Sequence, residues 1–426
     1  MNIEIPSSWK KTFFIIWAGQ AFSLLGSELV QFSLVWYMTR ETGSATVLAT
    51  ATFVGLLPYV FLAPFAGALV DRWDRKRVMI LADAAIAIAS LGLAILFWLG
   101  KEQLWHIYCI LFIRSLGSNF HWPSMQASTT LLVPQKHLSR IAGINQSLRG
   151  ALGILSPPFA ALLLKLMPIQ GILGIDILTA LIAILPLLFV TIPQPSTEEK
   201  KTLKTPTDLW QDVKAGFSYM YNWKGMFILC IMASLINFLV NPAFTLLPLL
   251  VTGYFGGGVW KLSFIESSFG IGVIIGGLIL STWGGFKKKI YTTFMGVLGM
   301  GLGILMIAFA PSTDFYIAVA GVAIIGLLNP IANGPIMAIM QSNVVPEMQG
   351  RVFTALSSLS SAMSPLGMLI AAPVAEIWGV RSWFVIGGAS CVLMSVGGFI
   401  IPAVVDIEEE RKQRVSKKLK KAREDV

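Results

Sequence analysis

Charged residues are scarce in this sequence. Only 13% of its 426 residues are Asp, Glu, Lys or Arg, whereas soluble proteins ordinarily carry about a quarter. Apolar residues make up 55% of the chain, and its mean hydropathy is +0.73. This composition excludes an ordinary soluble protein. It predicts an all-α integral membrane protein that crosses the bilayer many times.

Histidine and cysteine are also rare, with three residues of each. Cys109, Cys230 and Cys391 lie far apart without a CxxC spacing, which argues against a disulfide framework and a cysteine metal site. The scattered histidines form no HExxH pattern, and the sequence lacks a glycine-rich phosphate loop with its lysine. We therefore expect no enzyme activity, no cofactor, no metal and no ATP drive within this chain.

Long apolar runs and the positions of the cations define the predicted topology. Twelve runs suit membrane spans of about 20 residues. If both termini are cytoplasmic, most of the 32 Lys and Arg residues fall on the inner side, as the positive-inside rule requires. The net charge of +10 then reflects topology, and we expect no nucleic-acid partner. The predicted spans are 13–38, 46–70, 78–99, 104–128, 140–165, 169–192, 223–252, 262–285, 290–310, 315–341, 350–378 and 381–403.

The two halves of the chain repeat. Pro123 and Pro134 return as Pro335 and Pro346, each 212 positions later. The basic triplet 75–77 returns as three lysines at the same offset. With six spans on each side, these matches indicate a duplicated six-helix unit. An even number of spans keeps both units in one orientation, so we expect parallel repeats, which are typical of transporters.

The longest polar stretch between spans separates the halves. Within it, Thr205, Pro206 and Asp208 form a helix-start signal, followed by apolar residues at helical spacing. This predicts a short amphipathic helix on the inner membrane surface. The Lys- and Arg-rich C-terminal tail suits anionic lipid headgroups. The four predicted regions are a first six-helix bundle (1–192), a cytoplasmic linker (193–222), a second six-helix bundle (223–405) and a basic cytoplasmic tail (406–426).

The loop between spans two and three carries charges of both signs, in the sequence GALVDRWDRKR. Its Lys and Arg residues anchor the cytoplasmic end of a span. A carboxylate on so tight a loop can also cap the positive N-terminus of another helix, and we expect Asp71 to cap span eleven near Gly350 and Arg351. The predicted inner gate comprises Gly67, Asp71, Arg72, Arg75, Lys76, Arg77, Asp83 and Arg149.

Two opposite charges lie near the middle of predicted spans. Glu28 in span one and Arg114 in span four fall at nearly one depth. A charge at that depth costs roughly 2.5–3.5 kcal/mol on insertion scales, so each invites an explanation. The two side chains either form a proton-coupling pair, in which desolvation and the guanidinium set the proton affinity of the carboxylate, or a static ion pair between two helices.

Two further charged residues, Asp83 and Arg149, lie within predicted spans. Asp83 is predicted to pair with a cation of the inner gate, which is Arg75, Arg77 or Arg140. Arg149 is predicted to face a cavity or to reach Asp83.

Three further titratable residues complete the set. Asp176 and Glu266 are expected near the outer surface, as outer-gate or solvated groups. His121, next to a tryptophan and a proline, is expected to be a packed and hydrogen-bonded side chain, with a proton carrier as the alternative.

The second half lacks such deep charges and is rich in Phe and Met. We read its two GxxxG patterns, at 272–276 and 299–303, as helix-packing contacts. Any proton coupling is therefore expected in the first half, and a binding surface for an uncharged, hydrophobic ligand in the second. The candidate substrate-binding residues are Gln31, Asn237, Asn241, Asn329 and Asn333.

Several motifs resemble the major facilitator superfamily. GALVDRWDRKR is similar to its loop pattern, although Asp74 stands where a glycine is usual, and RSLGSNFHWP is similar to its membrane arginine followed by a glycine. More narrowly, the segments LPYVFLAPFAGALVDR, LFIRSLG, LLVP and GRVF resemble the macrolide efflux proteins of that superfamily.

This resemblance implies a bacterial plasma-membrane exporter of hydrophobic drugs, above all macrolides, driven by proton antiport. It also implies that spans one and four line a central cavity and that the protein acts as a monomer. Export of a siderophore or movement of a lysophospholipid remains the alternative, followed by a non-transporting scaffold or receptor.

Overall fold

The computed structural model describes residues 9–190, 192 and 206–409 of the chain. This part consists of helices joined by short turns and contains no β-strand. A 3₁₀ turn at Gln135–His137 precedes α5, and a π-helical turn at Leu250–Tyr254 extends α8. The α-helices are α1 (Trp9–Thr42), α2 (Ala45–Arg72), α3 (Arg75–Trp98), α4 (Leu104–Leu132), α5 (Leu138–Leu166), α6 (Ile169–Phe189), α7 (Pro206–Tyr221), α8 (Lys224–Leu249), α9 (Val259–Trp283), α10 (Lys289–Phe309), α11 (Phe315–Asn343), α12 (Pro346–Trp378), α13 (Val380–Ile400) and α14 (Pro402–Val405).

The predicted all-α membrane fold is confirmed. Eleven of the described helices are long and apolar enough to cross a membrane. The remaining long helix is α4, whose 29 residues extend over about 44 Å and exceed the hydrocarbon thickness of about 30 Å. The hydropathy of α4 is lower because it carries Arg114, Asn119 and His121 among its apolar residues. Charged and polar side chains therefore lie within a helix that is long enough to cross the membrane.

The chain forms two compact units. The first comprises Met1–Leu209 and Thr245–Ser267, and the second comprises Trp210–Phe244 and Ser268–Val426. Within the first unit, α3 packs against α4 and α6, and α1 packs against α5 and α6. Within the second unit, α10 packs against α11 and α13. The third helix of each repeat thus contacts the fourth and sixth, as expected for a duplicated unit.

Glycines of the second unit allow its helices to approach closely. A side chain at Gly272 or Gly276 of α9 would overlap the backbone of α11 at Leu327. At Gly303 of α10, it would meet Ile325 and the carbonyl oxygen of Gly321. Both GxxxG patterns are therefore helix-packing contacts, as predicted.

The helix predicted in the linker is present as α7. Its apolar side chains Val213 and Met220 are buried in the second unit. Between them, Gly216 lies directly against the carbonyl group of Arg351 at the start of α12. Protein therefore covers the face that was expected to lie on lipid. The buried apolar contacts explain why α7 belongs to the second unit.

The first residues of the predicted tail also belong to the second unit. Ile407 is fully buried in its core. Lys288 at the start of α10 contacts Glu409 and Asp406, each at 3.0 Å, and these hydrogen bonds raise the pKa of Lys288. Residues 410–426 hold most of the basic tail and lie outside the described residues. Binding of the tail to lipid headgroups stays a prediction.

Candidate functional site

Polar groups in the first unit, all of them side chains except the backbone carbonyl of Ser27, form two layers. They come in pairs seven residues apart on three helices, so the members of each pair lie on one face about 10 Å apart along the helix. We call Ser27, Ser90, Arg114 and Asp176 the arginine layer, and Gln20, Asp83 and His121 the histidine layer. The pairs that define the layers are Gln20 and Ser27 on α1, Asp83 and Ser90 on α3, and His121 and Arg114 on α4.

An ion pair forms the centre of the arginine layer. Nη1 of Arg114 lies 2.6 Å from Oδ2 of Asp176 and also donates to Oγ of Ser90 at 3.2 Å. Ser90 in turn donates to the same carboxylate oxygen at 2.7 Å. Nη2 of Arg114 donates to the backbone carbonyl of Ser27 at 3.1 Å. One guanidinium therefore links α1, α3, α4 and α6.

Burial makes this ion pair energetically important. The side chain of Arg114 is 8% exposed and that of Asp176 is 2% exposed. Bringing both charges out of water is costly, but their short contact and the hydrogen bonds that each makes with Ser90 offset that cost. Removal of either charged partner would leave the other as an uncompensated buried charge.

Asp176 was expected to be an outer-gate or a solvated group; its burial rules out the solvated group, and the outer-gate role stays a prediction. The middle of α4 falls at Ser118 and that of α6 at Thr179. Arg114 and Asp176 therefore lie four and three residues before the middles of two helices that run in the same direction. The sequence-based spans placed them at different levels, because the fourth ended too early and the sixth too late.

Glu28 lies beside the arginine layer but outside its hydrogen bonds. Arg114 forms its ion pair with Asp176, so the predicted static pair with Glu28 is not the arrangement found. The side chain of Glu28 is accessible, and its charge lies within electrostatic range of Arg114, Arg149 and Glu266. Glu266, on α9, is half-buried rather than solvated. Glu28 is thus an accessible carboxylate next to a buried ion pair.

The histidine layer lies two turns away on the same helices. Nε2 of Gln20 donates to Oδ2 of Asp83 at 3.2 Å, and Nε2 of His121 lies 3.5 Å from that oxygen. All three side chains are buried. These contacts differ from the predicted pairing of Asp83 with an inner-gate arginine. The expectation that His121 is packed is confirmed, although hydrogen bonding of its Nε2 is not found.

Arg149 does not reach Asp83. Its guanidinium lies over the ring of Trp122, 3.7 Å from the centroid, in a cation–π contact. Its side chain is exposed, and the alternative that it faces a cavity stays a prediction. Trp122 precedes the proline of α4, and this contact joins α4 to α5.

The charged loop between α2 and α3 forms local contacts. Oδ1 of Asp74 accepts from the backbone N–H of Arg77 at 2.9 Å and so caps α3. This cap explains how an acid fits where related sequences usually have glycine, because Asp74 has an ordinary negative φ of −72°. Arg75 donates to the carbonyl oxygen of Ala127 on α4 at 3.2 Å.

Lys76, another cation of the predicted gate, also contacts a neighbouring helix. Nζ of Lys76 donates at 3.1 Å to the carbonyl oxygen of Leu188 in the last turn of α6. Cations are stabilised at such helix C-termini. The surroundings of Gly67 and the side chains of Asp71 and Arg72 lie outside the description, so the capping of span eleven by Asp71 stays a prediction.

The candidate substrate-binding amides bond along their own helices. Asn241 donates to the side chain of Asn237 at 2.9 Å, and Asn237 donates to the carbonyl oxygen of Ala233 at 2.9 Å. On α11, Asn333 donates to the carbonyl oxygen of Asn329 at 3.0 Å. These bonds remove exposed donors from apolar helix faces. The remaining candidate, Gln31, is exposed on α1.

Sequence reasoning did not assign Gln20, Ser27 or Ser90 to the site. Each is a small or neutral polar residue, and such residues are common within membrane helices. The signal that was available is the seven-residue spacing, which recurs on α1, α3 and α4. Only the three spacings together distinguish the layers from isolated polar residues.

Comparisons with known proteins agree with the fold. The family model described as Major Facilitator Superfamily matches residues 16–368. Macrolide efflux protein A of Streptococcus pyogenes is 36% identical over 407 residues, covering 96% of this chain and 99% of the relative. The protein of the same name from Enterococcus faecalis is 36% identical over 326 residues, covering 76% of this chain and all of the relative.

Solved structures show the same architecture. The crystal structure of the nucleoside transporter NupG (D323A mutant) matches with a TM-score of 0.72 at 15% identity, covering 91% of this chain and 98% of that chain. The apolar helices, the repeated helix packing and the family match lead to one conclusion: this chain is a membrane transporter of the Major Facilitator Superfamily.

Proposed function

We propose that this protein exports hydrophobic, macrolide-type antibiotics from a bacterial cytoplasm in exchange for protons. The observation that carries the substrate class is the 36% identity to Macrolide efflux protein A over almost the whole of both chains. The protein is proposed to act as a monomer in the plasma membrane, with both termini in the cytoplasm. Alternating access of the substrate path to the two sides would complete the cycle.

The arrangement around Arg114 supports proton coupling. Asp176 and Glu28 both interact with its positive charge, the first through a buried ion pair and the second from an accessible position. The backbone carbonyl of Ser27, which precedes Glu28, accepts a hydrogen bond from the same guanidinium. Protonation of Glu28 removes one of the two negative charges and leaves Arg114 to Asp176 alone. A proton at Glu28 thereby changes the interactions that hold α1 against α4.

Neutral groups are proposed to contact the drug. Gln31 lies one turn beyond Glu28 on α1, where a bound ligand would meet both side chains. In the second unit, Asn237, Asn241, Asn329 and Asn333 are the proposed polar contacts on helices that are otherwise apolar. A large hydrophobic drug requires few polar contacts, which agrees with so small a set.

The test is transport by purified protein in liposomes. Uptake of radiolabelled erythromycin is measured in inside-out oriented proteoliposomes with an acidic interior, with and without an ionophore that collapses the pH gradient. We expect uptake that depends on the gradient in the parent protein. Glu28→Gln is expected to bind erythromycin but to lose accumulation driven by the gradient, because it has no carboxylate to titrate.

The matched control is Glu41→Gln, which removes an exposed carboxylate at the end of the same helix. It is expected to transport like the parent. Uptake that is insensitive to the ionophore would refute proton exchange. A parent protein that moves no erythromycin would refute the substrate class.

A further inference from the structure

The histidine layer contains polar atoms that the described hydrogen bonds leave unused. Gln20 is fully buried, Asp83 is 4% exposed and His121 is 8% exposed. Within the described part of the chain, Oε1 of Gln20 and Nε2 of His121 are buried without a hydrogen-bond partner. Because each such buried atom carries a desolvation cost, the layer is incomplete as it stands.

The carboxylate of Asp83 lacks a compensating positive charge in this layer. A buried carboxylate without compensation is costly, and Asp83 accepts one hydrogen bond from a neutral amide. The groups around it are Gln20 from α1 and His121 from α4. Among the described side chains, His121 is the basic group next to Asp83, at 3.5 Å.

The other charges nearby contact other groups or are accessible, among them Arg149 of α5, which lies over the ring of Trp122. On α3 itself, Arg75 lies two turns away and donates to the carbonyl oxygen of Ala127. From α6, Asp176 belongs to the arginine layer and pairs with Arg114. On α1, Glu28 is about two turns from Gln20 and is accessible.

We infer that Asp83 and His121 together form a second, buried proton-binding site. One proton, taken from water, binds at Nε2 of His121, which faces Oδ2 of Asp83. The pair then changes from one net negative charge to neutral, and release of the proton restores the negative charge. The amide of Gln20 stays on the carboxylate in both states.

Proton binding should tighten the layer. A charge-assisted N–H···O bond is about 2.7–2.9 Å long, so the present distance of 3.5 Å leaves room for His121 to move towards Asp83. The protonated pair joins α3 to α4, and Gln20 adds α1. Without the proton, Asp83 is a buried anion held by one amide, and the contact among the three helices weakens.

The histidine layer and Glu28 differ in their access to water. Glu28 is accessible, whereas the Asp83–His121 pair is enclosed between helices. Exchange of its proton with water therefore requires movement of one of the three helices. Its role in transport rests on the proposed proton-driven export, but proton binding itself requires neither a drug nor a gradient.

The small number of histidines makes a direct test feasible. The chain has three, His106, His121 and His137, so protein made with isotope-labelled histidine gives three sets of imidazole signals by NMR. His106→Gln and His137→Gln assign the set that belongs to His121. Spectra are recorded between about pH 5 and about pH 8, where histidine ordinarily changes charge, and we expect the His121 signals to show proton binding. In Asp83→Asn, that titration should move by roughly tenfold or more in proton concentration, while His106 and His137 titrate as before.

The matched control is Asp314→Asn, which removes an exposed carboxylate at the start of α11 and should leave all three titrations unchanged. If His121 stays in one protonation state over this range in the parent protein, the inference is overturned without any variant. An identical titration of His121 in Asp83→Asn would overturn it as well. Should Asp83→Asn fail to fold, Gln20→Leu serves instead, since loss of the amide must also displace the titration.

A transport measurement separates this inference from the proposed function. If the parent protein moves no erythromycin, the proposed substrate fails while the NMR titration still decides the proton site. If export occurs and His121 titrates, His121→Gln is expected to change the pH dependence of efflux. Efflux with the parent's pH profile in that variant would overturn the role in transport.

Discussion

The two six-helix units have the same helix packing but different interiors. At the repeat offset of 212, Asp83 and Ser90 correspond to Met295 and Leu302 on α10. On α4, Arg114 corresponds to Gly326 of α11, a glycine in direct contact with the backbone of α9 at Phe269. The first unit thus adds buried charges to its close helix contacts, such as Gly26 against Asp176 and Thr179, whereas the second relies on close backbone contact at these positions.

This difference shows how a duplicated fold can separate two tasks. Helix packing needs only complementary surfaces, and small residues at close crossings provide them without polar groups. Buried charges are costly, so a unit that retains them invites a functional explanation. The comparison therefore supports the proposal that proton chemistry belongs to the first unit and that the second packs and contacts a hydrophobic ligand.

The third helix of each unit also begins differently. In α3, Asp74 caps the helix from the preceding residue. In α10, the preceding residue is Lys288, and the acceptor for the N–H of Ile290 is the carboxylate of Glu408, at 3.0 Å. A local cap in the first unit is therefore replaced in the second by an acid from the C-terminal segment.

The largest effect is expected from breaking the arginine layer. Arg114→Ala leaves Asp176 as an unpaired buried carboxylate, which should destabilise the protein by roughly 3–5 kcal/mol. Thermal unfolding of purified protein in detergent measures this loss. The double variant Arg114→Met with Asp176→Leu removes both charges and should regain much of the stability while lacking transport. A double variant as unstable as the single one would contradict the ion-pair account.

A smaller effect is expected at the corresponding position of the second unit. Gly326→Ala places a methyl group against the backbone of Phe269 and should cost about 1–3 kcal/mol through overpacking. Gly277→Ala on α9 is the matched control, because nothing lies within 4 Å of a methyl group there. The same thermal assay should show a loss for Gly326→Ala and none for Gly277→Ala. Equal melting temperatures would mean that close backbone contact does not hold this unit together.

The smallest effects concern the two caps. Asp74→Ala removes an N-cap and should destabilise α3 by about 0.5–2 kcal/mol. Glu408→Ala removes a partly exposed acid at the start of α10, and about 0.3–1 kcal/mol is expected. Hydrogen exchange at the amides of Arg77 and Ile290 measures each cap separately. If the exchange rate of the Arg77 amide is unchanged in Asp74→Ala, or that of the Ile290 amide in Glu408→Ala, the carboxylate removed does not stabilise the start of that helix.

The architecture was predictable because apolar runs and the repeat between the two halves can be read directly from the sequence. The number of spans follows from the length of the apolar runs, and the duplicated unit follows from the constant sequence offset between the halves. The GxxxG contacts follow from the four-residue spacing of the glycines. The pairing of Arg114 was not predictable in this way, because its partner depends on the level of each helix in the membrane. An error of a few residues in the ends of α4 and α6 moved Asp176 away from Arg114.

The histidine layer shows a second limit. Gln20 is one neutral polar residue among many, and its contact with Asp83 joins positions 63 residues apart in the chain. Helix periodicity places Gln20 on a face, but it does not say which helix that face meets. Only the tertiary packing of α1 against its neighbours brings the two side chains together.

Substrate-linked proton release tests most directly the claim that proton chemistry belongs to the first unit. Erythromycin is added to the purified protein in weakly buffered detergent solution, and a pH indicator reports the protons that leave. If drug and proton compete, binding linkage predicts release of about one proton per protein molecule from the parent and from Glu41→Gln, but much less from Glu28→Gln. Release from Glu28→Gln equal to that of the parent, or none from a parent protein that binds the drug, would contradict the account.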